Sequence, residues 1–214
     1  MTEFKPRDTR RVLLDAAAEE FAKHGLQGTR VEAIVKRSGV NERMIYHHFG
    51  SKDGLYRAVL ADQWMEMGSV WEHALTRASQ LEPRRGLAVA FCAMFERFAA
   101  RPLMVPLAIH ESMSGWKALP EATLAQVPAE IRKLYARGQR EGVFRSHCDF
   151  ETLYLTLMGA LTSLTVVAPR FSDMREQGRK DPAYLGRIAE RMIDLDLDGA
   201  SRANSQKSKT RSRK

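Results

Sequence analysis

Between Thr29 and Lys52 the chain carries side chains suited to hydrogen bonding and charge pairing rather than to covalent chemistry. Thr29 and Arg30 come first, Arg43, Met44, Tyr46, His47 and His48 follow within NERMIYHH, and Lys52 closes the stretch. An arginine donates two parallel hydrogen bonds to the O6 and N7 edge of guanine, and a methionine touches the methyl group of thymine. A tyrosine O–H, histidine ring N–H groups and a lysine ammonium donate to phosphate oxygens, which fixes position without reading sequence. Together these residues have the chemistry of duplex-DNA reading. Adjacent helical residues point about 100° apart, and no carboxylate or thiol lies at ligand spacing, so His47 and His48 are not read as a metal site.

Such side chains work only if short helices hold them. Helix 1 is expected over 9–24, with Val12, Leu13, Ala16, Ala17 and Phe21 on one stripe and Gly25 ending it. Helix 2 starts at Thr29, which is expected to form a capping box with Glu32. The turn Ser38-Gly39-Val40 separates it from helix 3, capped by Asn41 and running to about His48, with Ile45 inward and Phe49 behind it. Ser51 caps helix 4, and Asp53 sits in its first turn, where the helix dipole favours an acid. Two short helices around a tight turn are the sequence form of a helix-turn-helix, whose second helix enters the major groove.

The stretch from helix 1 through YHHFGSKDGL resembles the DNA-binding head of the TetR family of transcriptional regulators. Ala16, Phe21, Gly25, Thr29, Ile34, Gly39, Val40, Ile45, Tyr46, His48, Phe49, Ser51, Lys52 and Leu55 carry the resemblance, over about residues 9–60. It implies that Thr29, Tyr46, His48 and Lys52 hold the phosphate backbone while Arg43, Met44 and His47 face the groove. Two positions depart from the family pattern. Glu42 stands where a basic residue or proline is frequent, and Arg43 where glycine or alanine is frequent. Glu42 either accepts from a cytosine amino group or repels phosphate.

The rest of the chain reads as helical throughout, giving an all-α fold of about nine helices. The expected organisation is a flexible N-terminus at 1–8, a three-helix head at 9–55, a larger body at 56–200 and a disordered basic tail at 201–214. Helix 4 is expected to reach about Gln80, helix 5 to span 83–100, then 103–113, 120–142 split at Pro128, 150–168 and 181–197. Charge follows this division. Of a net +8, residues 1–60 supply +3 and 201–214 supply +6, while 61–200 is near neutral. That suits a head that meets polyanions and a body with another task. The tail is read as a solvated end, with extra phosphate contacts as the other reading.

No catalytic motif or cofactor fingerprint is present in the body, so no catalysis and no cofactor are expected. Trp64, Met67, Trp71, Phe91, Phe95, His110, Met113 and Trp116 are candidates to line a pocket for a small-molecule effector, with His73, Glu111 and Ser112 as further polar groups. A filled core is the other reading of the aromatic and methionine residues. Leu155, Gly159 and Ser163 on the eighth helix and Leu185, Ile188 and Met192 on the ninth are candidates for a homodimer surface, with an intrachain core as the other reading. Two-fold symmetry then extends the DNA site to a palindrome.

The uncharged run 152–169 holds five Ser and Thr residues and is read as a buried helix rather than a membrane span. Two cysteines, no zinc spacing and no leader pattern suggest a cytoplasmic protein. The expected function is a ligand-responsive repressor on a palindromic operator. The rival expectations are a non-specific architectural DNA binder and a small helical enzyme.

Overall fold

A computed structural model describes residues 8–64, 74–119 and 127–201. Among them the regular structure is helical, apart from an isolated bridge between Phe144 and Ser201. Helix α1 spans Thr9–Gly28, α2 Val31–Ser38, α3 Arg43–Phe49 and α4 Lys52–Trp64, and helix resumes over 74–78. Next come α5 at Pro83–Ala100, α6 at Met104–Met113, α7 at Ala129–Arg140 and α8 at Phe150–Val166. A 3-10 turn at Ala168–Arg170 leads into α9 at Ser172–Lys180 and α10 at Tyr184–Ala200. The expected all-α class with an N-terminal helix-turn-helix is therefore the observed one. Helix α9 lies where the sequence suggested a connection. Its segment SDMREQGRK has one apolar residue, Met174, and buries none.

The chain forms two compact units. The first comprises residues 1–68 and 98–122, the second 69–97 and 123–214. The stretch 9–55 falls in the first unit, together with the rest of α4 and α6. Met67, Trp71, His73, residues 1–7 and the tail from 202 onward lie outside the described residues.

The first unit is built around α1. Leu13, Ala17 and Phe21 are wholly buried against Ile34 of α2, Ile45 of α3 and Leu55, Val59 and Leu60 of α4, with Leu107 of α6 in the same core. Truncating one such large side chain to alanine costs about 2–5 kcal/mol, so each helix is held by a few residues of this kind. Asp8 caps α1 and Ser51 caps α4, each side chain accepting a backbone N–H. Gly39 ends α2 at φ +67°, the left-handed geometry that the Ser38-Gly39-Val40 turn requires. Arg37 at the end of α2 reaches back to Glu20 and Glu19 of α1, both at 2.6 Å.

One cap differs from expectation. The Thr29 hydroxyl turns inward and donates to the Gly25 carbonyl at 2.7 Å, with the Glu20 carbonyl at 3.1 Å. The capping box with Glu32 does not form, and the N-cap position of α2 is Arg30 without a side-chain bond. A buried hydroxyl loses more by staying unpaired than an exposed helix end loses without its cap, because water satisfies the latter.

In the second unit Leu87, Phe91 and Met94 of α5, Ile131 and Tyr135 of α7, Leu157 and Leu161 of α8 and Ile193 and Leu197 of α10 are buried. Tyr135 donates to the Cys148 carbonyl at 2.9 Å, and Arg84 of α5 grips Asp198 of α10 at 2.7 Å. Helix α8, apolar nearly all round, buries Leu153, Leu157, Leu161 and Leu164 and leaves its other side open. The segment Phe150–Arg170 has the length and hydropathy of a membrane span, with a mean hydropathy of 1.4.

Candidate functional site

Helix α3 is positioned from both ends. Asn41 Oδ1 accepts the Arg43 N–H at 2.9 Å, the Tyr46 carbonyl accepts the Gly50 N–H at 2.9 Å, and fully buried Ile45 fixes its rotation. Glu42, Arg43, Tyr46 and His47 are consequently exposed, with Tyr46 48% accessible. Met44 and His48 are half-buried, and Met44 packs on the core of the first unit. The His48 ring stands edge-on to His47 and Phe49, at centroid distances of 5.0 and 6.0 Å. Its Nε2 is buried without a hydrogen-bond partner.

Two residues at the helix starts make bonds within the fold. Thr29 is 2% exposed and its hydroxyl is used inside the fold. Lys52, half-buried, donates its ammonium to the Thr29 carbonyl at 3.0 Å, tying the start of α4 to the start of α2. Arg30 is exposed.

Two features escaped the sequence reading. The Tyr46 hydroxyl donates to Glu42 Oε1 at 3.1 Å, and this bond to a carboxylate, followed by that group's charge, raises the tyrosine pKa. The i, i+4 spacing of the two residues was the available clue. The Arg10 guanidinium lies 5.4 Å over the Phe49 ring, bringing a cation from α1 to the end of α3, and no local sequence pattern announces that contact.

Of the candidate pocket residues, Met67 and Trp71 lie outside the described residues, and the others divide between the two units. Phe91 and Phe95 are buried in the core of the second unit, and Trp64 packs half-buried in the first. Met113 and Trp116 are exposed, at 80% and 51%. His110 lies against Gly25, close enough that a methyl group on the glycine would stand 2.8 Å from its Nδ1. Glu111 is 2% exposed and accepts the Ala118 N–H at 3.0 Å. Buried Tyr56 of α4 has its pKa raised by burial first and by a hydrogen bond to the Glu111 carboxylate second. Ser112 is exposed.

The second unit has an open groove of about 1100 Å³ between α5, α10 and the 74–77 stretch, lined by none of the candidates among the described residues. Its floor is Ala88, Val89, Cys92 and Ala93, and Arg85 and Glu190 stand at its walls. Burial, then the charges of Glu190, Glu96 and Asp194, push the Cys92 thiol up to about 11.

The candidate dimer residues lie on open faces of α8 and α10. Leu155 is 62% exposed, and nothing lies within 4 Å of a side chain added at exposed Gly159. Ser163, Leu185, Ile188 and Met192 are half-buried. Leu195 on α10 is exposed to 72%, with Val166 and Val167 exposed at the end of α8.

Residues 13–59 match the family model of bacterial regulatory proteins, tetR family, and residues 83–195 match that of the tetracyclin repressor-like C-terminal domain. The chain belongs to the TetR family. As a TetR-family protein it is a DNA-binding transcriptional regulator, and the family is one of regulators rather than enzymes. It is similar to the HTH-type transcriptional repressor KstR2 of Mycolicibacterium smegmatis, at 31% identity over 72% of this chain and 76% of the relative. The HTH-type transcriptional repressor NicS of Pseudomonas putida is 28% identical over 70% of this chain and 72% of its own length. Among solved structures, a TetR family transcription regulator from Marinobacter aquaeolei aligns with TM-score 0.61 at 20% identity, over 91% of this chain and 96% of the other, and shares the fold.

Proposed function

We propose that this TetR-family chain is a homodimeric repressor that holds a palindromic operator through α3 and releases it when a small molecule occupies the groove of the second unit. The exposed row Glu42, Arg43, Tyr46 and His47, set on a helix whose rotation buried Ile45 fixes, carries the proposal. In it Arg43 reads guanine, His47 faces the groove with Met44 at its edge, and Arg30, His48 and Lys52 lie along the phosphates. Thr29 supports them from inside. In this reading residues 9–55 bind DNA, and residues 56–200 bind the effector and dimerise.

A seven-residue helix spans few base pairs, so a second copy is needed for a specific site. The exposed Leu155, Val166, Val167 and Leu195 give that copy an apolar surface to cover. The groove is of the order of a ligand site, and its small apolar floor with charged walls suits an amphipathic molecule. Such a molecule releases DNA only if it binds the released state more tightly than the bound one. Repression fits the relatives, which are named repressors, and a gene regulator of this kind works in the cytoplasm.

Selection of bound duplexes from a random pool, followed by a metabolite screen for release, tests the proposal. A two-fold symmetric site is expected, with release abolished and operator affinity kept in Ala88→Trp, which fills the groove. Release that persists in Ala88→Trp removes the groove from the proposal, and recovery of no common site removes the operator.

A further inference from the structure

The structure assigns Glu42 the reading of a cytosine amino group in the major groove, with Tyr46 as the residue that aims it. This rests on the operator reading proposed above and adds the chemistry of one base position.

Residues 42 and 46 are one helical turn apart and share a face of the chain around α3, and both are exposed. The Tyr46 hydroxyl donates to Glu42 Oε1 at 3.1 Å, so the carboxylate is held against the helix rather than free to turn into solvent. A carboxylate on a DNA-facing surface is repelled by every phosphate near it, and it gains only where a donor meets it. In the major groove the donors are the amino groups of cytosine and adenine. Cytosine shows its N4 amino group with no acceptor of its own beside it, whereas adenine N6 stands next to N7, which repels a carboxylate. A fixed carboxylate therefore selects cytosine.

The bond also decides what Tyr46 can do. A hydroxyl has one proton. While that proton is given to Glu42, the Tyr46 oxygen can only accept, and a phosphate diester offers only acceptors. On this helix Tyr46 serves Glu42 instead of the phosphate-holding role that the family resemblance implied. A phenol ordinarily titrates at about 10 and so keeps its proton at neutral pH, and the bond to the Glu42 carboxylate raises the Tyr46 pKa further. The pair is a property of this chain, since it requires the glutamate that departs from the family pattern at position 42.

The test is selection from a random duplex pool with the wild-type protein, Glu42→Gln and Tyr46→Phe, followed by affinity measurements on the selected site, its single-base variants and a scrambled duplex. The wild type is expected to enrich cytosine at one symmetric position of each half-site. Glu42→Gln loses about tenfold of the discrimination at that position and leaves the others unchanged. Tyr46→Phe weakens discrimination at the same position without changing affinity for the scrambled duplex. If Glu42→Gln tightens binding to all duplexes alike with the selected site unchanged, the carboxylate only repels phosphate and the inference is overturned. If Tyr46→Phe lowers all affinities equally, Tyr46 holds phosphate and the aiming role is overturned. If the wild type enriches no site, the operator reading falls with it, an outcome distinct from an enriched site that ignores both substitutions.

Discussion

Gly25 sits at φ +65° and ψ 179°, at a kink inside α1 where the expected helix end gives way to a further turn, and its carbonyl accepts the buried Thr29 hydroxyl. Replacing it with alanine has two separable costs. The backbone region is open essentially to glycine alone, and forcing another residue into it costs about 1–3 kcal/mol. The added methyl group would stand 2.8 Å from His110 Nδ1 and 3.2 Å from its Cγ, closer than packed atoms tolerate. The ring or the backbone must then shift, which in a packed interior costs another ~1–3 kcal/mol. The sum is a large part of the ~5–15 kcal/mol that holds a typical domain together. His110→Ala removes the second cost and leaves the first. Urea unfolding of the full-length protein, followed by helical circular dichroism, should therefore show Gly25→Ala costing at least about 2 kcal/mol alone, and less by about 1 kcal/mol or more in the His110→Ala background. Equal costs in both backgrounds would refute the packing of His110 on Gly25 and reopen its place in a ligand site. A cost below about 1 kcal/mol would refute the glycine-only backbone.

Lys52→Ala removes a charged donor from the Thr29 carbonyl and should cost about 1.5–3 kcal/mol in urea unfolding while weakening all DNA sequences alike. Weaker binding without loss of stability contradicts the internal bond. Leu155→Glu combined with Leu195→Glu puts charges on the open faces of α8 and α10, and light scattering should then report a single 24.2 kDa chain where the wild type gives two. A wild type of one chain's mass contradicts the dimer. With its pKa pushed up to about 11, Cys92 is protonated at neutral pH and becomes reactive only as pH rises towards that value. In Cys148→Ser, maleimide labelling of the native protein should rise about tenfold per pH unit from 7 to 10, because the thiolate is the reacting species. A rate that levels off near the ~8.5 of a free thiol contradicts the burial of Cys92.

The head was legible because its determinants are local. Gly39 permits the turn, Asn41 and Ser51 offer caps within three residues, and Ile45 is the one aliphatic β-branched residue in its short helix, so it goes inward. Thr29 was misread because the same hydroxyl could cap α2 or turn back to α1, and the choice rests on the α1 carbonyls that surround it. The groove of the second unit was not legible. Helical spacing marked Phe91 and Phe95 as inward, but periodicity is the same for a side chain that fills a core and one that lines a cavity. The groove is floored by Ala88, Val89 and Ala93, small residues whose importance lies in the space they leave. Helix α9 has no apolar period and so escaped a reading that relies on one. His110 looked like a polar group awaiting a ligand, and only the chain path that brings α6 against α1 gave it a packing partner.

The central claim is that α3 reads sequence, and the ratio of affinities for the selected duplex and a scrambled one tests it most directly. Measured for the wild-type protein at a fixed, near-physiological salt concentration, the selected duplex should bind at least about 10³-fold more tightly, as sequence-specific regulators do. In Arg43→Ala the ratio should shrink while affinity for the scrambled duplex stays nearly the same. Equal wild-type affinities for the two duplexes would contradict the claim and leave a protein that binds DNA by charge alone.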